Sequence, residues 1–139
     1  MNAIDTNVWV YSIDYDEPRR RQQAIELLSQ LGQKPESTVM PWQVASEYLN
    51  CLRRHARQGQ ITVVQVVLYL TQAVELFPLV TPSESVLRTS LDLSSRYSLS
   101  HWDSMLLAAC IDAGVDTLYS EDLDAGMTYD TVTVINPFA

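Results

Sequence analysis

The sequence predicts an α/β fold with a mainly parallel sheet, and three observations lead there. Short apolar stretches alternate with segments of helical apolar spacing along the chain. Acids follow two of those stretches, just where open α/β sheets bind ligands, beyond the carboxyl ends of strands. No repeat, low-complexity tract or Gly/Ser linker divides the 139 residues, so 1–139 reads as a single domain long enough to bury a core.

Asn2 to Ile4 reads as the first strand and Asn7 to Ile13 as a short helix, with Asp14-Tyr15-Asp16-Glu17 as a loop. Pro18 suits the start of the next helix, where a missing N–H is harmless. That helix carries Ala24, Leu27, Leu28 and Leu31 at three- and four-residue steps and ends at Gly32. Ser37 to Met40 is the second strand. Pro41 begins a helix through about Arg57 whose inner face is Val44, Tyr48, Cys51 and Leu52. Thr62 to Glu75 is valine-rich, but its length and its polar Gln65 and Gln72 favour a helix over a strand. Leu76 to Val80 reads as a third strand. Thr81-Pro82-Ser83-Glu84 then opens a capped helix that runs to about Tyr97. The last helix begins near Ser100 or His101, carries Leu106, Leu107, Cys110 and Ile111, and stops at Gly114. Thr117 to Ser120 and Thr131 to Ile135 complete the sheet.

With 47% apolar and 19% charged residues the chain has a globular balance. Gln65, Gln72, Glu75 and Pro78 interrupt its longest apolar region, Ile61 to Val80, which predicts no membrane helix. The N-terminus lacks a basic flank followed by an apolar core, which predicts a cytoplasmic protein. Cys51 and Cys110 fall in helical patterns without zinc-site spacing and read as small core residues. A formal net charge of −8 argues against a protein that coats nucleic acid. The distribution is more telling: all but two arginines lie in Arg19-Arg20-Arg21 and in Arg53-Arg54-His55-Ala56-Arg57.

Four acids carry the chemical message: Asp5, Glu47, Asp103 and Asp122. Each has a plain structural reading. Asp5 can cap or turn the chain after its strand, with Thr6 and Asn7 as further oxygen donors beside it. Glu47 can be a solvated helix edge, although no Lys or Arg stands three or four residues on to pair with it. Asp103 lies in a first helical turn, where the dipole welcomes an anion, and Ser100-His101-Trp102-Asp103 matches a capping box. Asp122 follows a strand as Asp5 does, with Glu121 and Asp124 close enough to take its place. Taken together, carboxylates gathered at strand ends and helices are easiest to understand around a divalent cation. Oxygen-only ligands select Mg²⁺ or Mn²⁺, whose natural work is phosphoryl chemistry through an activated water. His55 and His101 are isolated, and no Ser-His-Asp set is persuasive.

The residues Ile4-Asp5-Thr6-Asn7, Glu47, His101-Trp102-Asp103-Ser104, Leu118-Tyr119-Ser120-Glu121-Asp122-Leu123 and Val134-Ile135-Asn136-Pro137-Phe138 resemble those of PIN-domain ribonucleases, especially the VapC-like toxins of type II toxin-antitoxin pairs. The likeness covers the whole chain. It implies a three-layer fold with helices on both faces of the sheet, and a divalent ion held by Asp5, Glu47, Asp103 and Asp122. Thr6, Asn7, Ser120 and Asp124 would support that site. It also implies cleavage of RNA phosphodiester bonds, a small antitoxin that blocks the site, and a homodimer. Arg53, Arg54 and Arg57 then become candidates for RNA phosphate contacts. Trp9, Trp42 and Trp102 can stack bases, but core packing is the expectation for each. Two other readings remain: a metal-dependent phosphatase, disfavoured because Asn7 stands where a second Asp is common, and a non-catalytic binding module.

Overall fold

The computed structural model describes residues 1–139, with six α-helices set in pairs between the first four of six strands. Strand β1 (Asn2–Ile4) leads into α1 (Thr6–Tyr11) and α2 (Pro18–Gly32), then β2 (Thr38–Pro41), α3 (Trp42–Arg57) and α4 (Val63–Leu76). Strand β3 (Leu79–Val80) precedes α5 (Glu84–Tyr97) and α6 (His101–Asp112); β4 (Thr117–Tyr119), β5 (Thr128–Tyr129) and β6 (Val132–Ile135) end the chain. The sheet order is β3-β2-β1-β4-β6-β5, parallel throughout except for the antiparallel β5–β6 hairpin.

The first two crossovers step one way along the sheet and the third steps back, so right-handed connections place α1–α4 on one face and α5–α6 on the other. The step reverses between β1 and β4. That reversal opens a crevice at the carboxyl ends of these two strands, where doubly wound sheets bind ligands. Asp5 follows β1 and Ser120 follows β4, so the topology delivers both to the crevice.

Local chemistry explains the elements. Pro18 sits in the first turn of α2 as expected. The valine-rich α4 is a helix because Thr62 and Gln65 close a capping box: the Thr62 hydroxyl accepts from the Gln65 N–H, and the Gln65 side chain accepts from the Thr62 N–H. Gly114 takes a left-handed φ of 73° after α6, and Val115 N–H reaches back to the Cys110 carbonyl at 2.9 Å. This Schellman-type ending turns the chain straight into β4. Beneath the helices the core is built on Ile4, Trp9, Phe77, Leu93, Leu107 and Leu118, all buried.

Several expectations need correction. Helix α1 begins at Thr6 and ends at Tyr11, because the Asp5 carboxylate caps it one residue earlier than the apolar spacing indicates. Leu76 belongs to α4, and Pro78 leaves only Leu79 and Val80 to pair, so the third strand shrinks to two residues. Ser83 stands at the start of α5 but does not cap it with its side chain; its hydroxyl donates instead to Asp112. Cys51 is only partly buried, on the flank of a stripe formed by Val44, Ala45, Tyr48 and Leu52, whereas Cys110 is enclosed and its thiol is pushed up to about 12 by burial. Trp9 is core, but Trp42 and Trp102 are 52% and 63% exposed. The β5–β6 hairpin was not anticipated. Its turn, at Asp130 with φ 54°, is gripped by Arg96 of α5, whose guanidinium donates to both Asp130 oxygens at 2.7 and 2.8 Å.

Candidate active site

Asp5 is the most constrained acid of the chain. It lies one residue past β1, and its N–H is tied to the Tyr119 carbonyl at 2.8 Å, so the sheet itself fixes its position. The side chain is 6% exposed, and each carboxylate oxygen accepts one bond: the Thr6 N–H donates to Oδ1 and the Ser120 hydroxyl to Oδ2, both at 2.7 Å. Burial pushes its pKa from the ordinary 3.8 up to about 6, outweighing those two bonds, and the charges of Asp122 and Glu47 push the same way.

Glu47 comes from the middle of α3 and is half-buried. Its Oε2 accepts from the Thr6 hydroxyl at 3.1 Å and its Oε1 from Gln43 Nε2 at 2.8 Å. The same Gln43 nitrogen donates to the carbonyl of Trp102 at 3.1 Å, which ties α3 to the first turn of α6 beside Asp103. Gln43 escaped the reading of the sequence, although its position four residues before Glu47 on one helix face is the signal that finds it.

Ser104 and its neighbours bury the base of α6 while Asp103 stays half-exposed in the first turn, where its N–H bonds to the Ser100 hydroxyl at 3.2 Å. Asp122 is exposed, on the loop after β4, and its N–H donates to Ser120 Oγ at 3.1 Å. Ser120 thus joins two of the acids, accepting from one and donating to the other. The Asp122 pKa is raised, first by the protein that partly encloses it and then by the charges of Glu121, Asp103 and Glu47. The nearby Asn7 side chain steadies its charge, yet both Asn7 amide atoms are enclosed without a partner at hydrogen-bond distance.

Asp5, Glu47, Asp103 and Asp122 therefore share one electrostatic neighbourhood, drawn from β1, α3, α6 and the loop after β4. Glu121 is held aside, accepting a bond from the Tyr11 hydroxyl at 2.7 Å, and Asp124 is exposed and faces Tyr129 instead. As the side chains stand, no three His, Cys, Asp or Glu groups are close enough to hold one ion. Four like charges repel one another. The donor set nevertheless fits a hard divalent ion: it is all oxygen, partly desolvated, and accompanied by the unpartnered Asn7 amide.

Ser120→Ala removes the hydroxyl that steadies the Asp5 carboxylate. The titration midpoint of Asp5, followed by carboxyl ¹³C NMR, is expected to climb by about one further pH unit, the size of a lost bond to a charged group. A midpoint equal to that of the unmodified chain would mean that the bond contributes nothing to the charged form.

Comparisons with known proteins bear on the fold and the family. The structure of VapBC2 from Rickettsia felis, bound to a DNA fragment from their promoter, superposes with a TM-score of 0.71 at 12% identity, covering 96% of each chain. VapC20 from Mycobacterium tuberculosis, a Sarcin-Ricin loop cleaving toxin, gives a TM-score of 0.63 at 15% identity over 88% of this chain and 90% of that one. A toxin-antitoxin complex from Klebsiella pneumoniae gives 0.62 at 16% identity over 99% and 98%. No curated protein matches the chain by sequence. The PIN domain family model matches residues 3–128, a span that includes all four acids. On that match, and on a fold shared with VapC toxins, the chain belongs to the PIN domain family.

Proposed function

We propose that residues 1–139 act as one nuclease domain that hydrolyses RNA phosphodiester bonds with Mg²⁺ or Mn²⁺, as the toxin of a type II toxin-antitoxin pair in the cytoplasm. The observation that supports this reading is electrostatic: Glu47 and Asp122 act on the buried Asp5, and Asp103 and Glu47 act on Asp122, beside the crevice between β1 and β4. Those four side chains would hold the ion. When bound, it supplies charge neutralisation at the phosphate and activation of a water. The chain's own part is positioning: Thr6 orients Asp5 through its N–H and Glu47 through its hydroxyl, and Ser120 links Asp5 to the Asp122 backbone. No helix is long and apolar enough to cross a membrane.

The partners are proposed on surface chemistry as well as on likeness. A groove of about 680 Å³ between α3 and α4 sets Arg53 and Arg57 beside the apolar Val63, Val67 and Leu70. That combination suits an antitoxin segment with apolar and acidic side chains. Arg54 lies seven residues after Glu47, on the same side of α3, and is the better candidate for an RNA phosphate. Exposed Leu87 and Leu91 on α5 support pairing with a second copy of the chain.

Expression of the unmodified chain is expected to arrest growth of a bacterial host, and Asp103→Ala to restore it. The purified protein should cut RNA with Mg²⁺ and leave a phosphomonoester untouched. Equal growth with both forms would sink the toxin reading, and phosphomonoester turnover without RNA cleavage would favour a phosphatase.

A further inference from the structure

Two of the three tryptophans stand in solvent, where an apolar side chain gains nothing from the fold. Trp42 opens α3 and Trp102 lies in the first turn of α6, and both line a groove of about 760 Å³ that has Glu47 on its wall. The Gln43 side chain, bonded to Glu47 and to the Trp102 carbonyl, spans from one helix start to the other. His101 packs edge-on against the Trp102 indole at 4.6 Å, which limits its swing. Both indoles therefore line one groove whose wall includes Glu47 of the proposed active site.

The lining decides what fits. No Lys or Arg faces the groove; its charged groups are Glu47 and Asp112, with Ser46 and Thr81 as neutral polar neighbours. A phosphate would meet only negative charge there. A flat, neutral ring with N–H donors at its edge meets apolar faces to stack on and oxygen acceptors to bond, and the volume is within the usual range for small-ligand pockets. An RNA base has these properties once it leaves its helical stack, and unstacked bases are what proteins read in single-stranded RNA.

We propose that this groove is a base-binding subsite for an unpaired nucleotide next to the bond that is cut, with Trp42 and Trp102 as its stacking platforms. The proposal rests on the RNA reading above and adds to it the residues that grip an unpaired base: Trp42 and Trp102, by stacking at this groove. Trp42 and Trp102 are specificity residues, and the phosphate falls to the ion that the four acids would hold and to Arg54.

The test uses tryptophan emission and cleavage kinetics. Trp9 is buried and supplies a constant background, so quenching on addition of an oligoribonucleotide in EDTA reports on the two exposed indoles. A single-stranded oligomer is expected to quench, and its duplex and an abasic oligomer of the same length are not. Trp42→Ala and Trp102→Ala should each weaken single-strand binding about tenfold. In Mg²⁺ they should raise KM by a similar factor with kcat little changed, and Trp→Phe should restore most of the loss. Unchanged thermal midpoints establish that both Ala variants are folded. Normal binding and cleavage of RNA by both Ala variants overturns the subsite and leaves the nuclease reading intact. A dimer that Trp42→Ala dissociates, with RNA affinity unaltered, overturns it in favour of a second copy in the groove. If the unmodified chain neither binds nor cuts any RNA, the nuclease reading fails and the subsite with it.

Discussion

Asp5→Asn is expected to abolish RNA cleavage and, at about pH 8, to make the protein more stable. The native state holds this carboxyl at a pKa of about 6 against an ordinary 3.8, mainly because burial disfavours its charge. Between those values the folded chain binds more protons than the unfolded one, so stability falls as pH rises through the window and stays lower above it. The gap corresponds to roughly 3 kcal/mol, which an uncharged amide of the same shape does not lose. The amide oxygen can still accept from the Thr6 N–H, and the Ser120 hydroxyl can turn to accept from the new NH₂ group. Thermal melts should show the variant several degrees above the unmodified chain at about pH 8 and level with it at about pH 4. Added Mg²⁺ should raise the midpoint of the unmodified chain and barely move that of the variant. A variant that melts lower at about pH 8 would show that burial does not strain this carboxylate.

The second large effect is structural. Trp9→Ala is expected to cost about 3–5 kcal/mol, enough to leave much of the protein unfolded near physiological temperature. Trp9 is 4% exposed and packs against Tyr48 of α3 at 5.9 Å and against Phe77 after α4 at 6.0 Å. It is the joint by which α1, and the Asp5-Thr6 cap at its start, lean on the helices of the same face. Urea titration should show the midpoint falling sharply, with cleavage at low temperature falling in step with the folded fraction. A loss below about 1 kcal/mol would mean that the neighbouring rings close over the cavity.

Much of this architecture was legible because it rests on local rules. Pro18 and Gly32 bracket α2, and the alternation of elements predicts a parallel sheet that the pairing of β1, β2, β3, β4 and β6 bears out. The misses share a cause. Two-residue strands such as Thr128–Tyr129 carry no period, and their pairing depends on partners far along the chain. For Trp42 and Trp102 the sequence favours core packing over base stacking, whereas their exposure follows from lying at helix starts beside an open crevice. The four acids were legible as residue types. What the sequence could not display is their unequal standing: Asp5 is buried and doubly bonded while Asp122 is open to solvent, and a single serine couples them. The Gln43 bond to Trp102 is invisible for the same reason, since it crosses between helices far apart in sequence, although its spacing to Glu47 is not.

Both outer strands of the sheet, Leu79–Val80 and Thr128–Tyr129, are only two residues long. So short a margin offers a visiting peptide almost no backbone to zip onto, which guards against sheet-to-sheet polymerisation. A peptide that added itself to either edge as a further strand would gain few backbone hydrogen bonds, whatever its sequence.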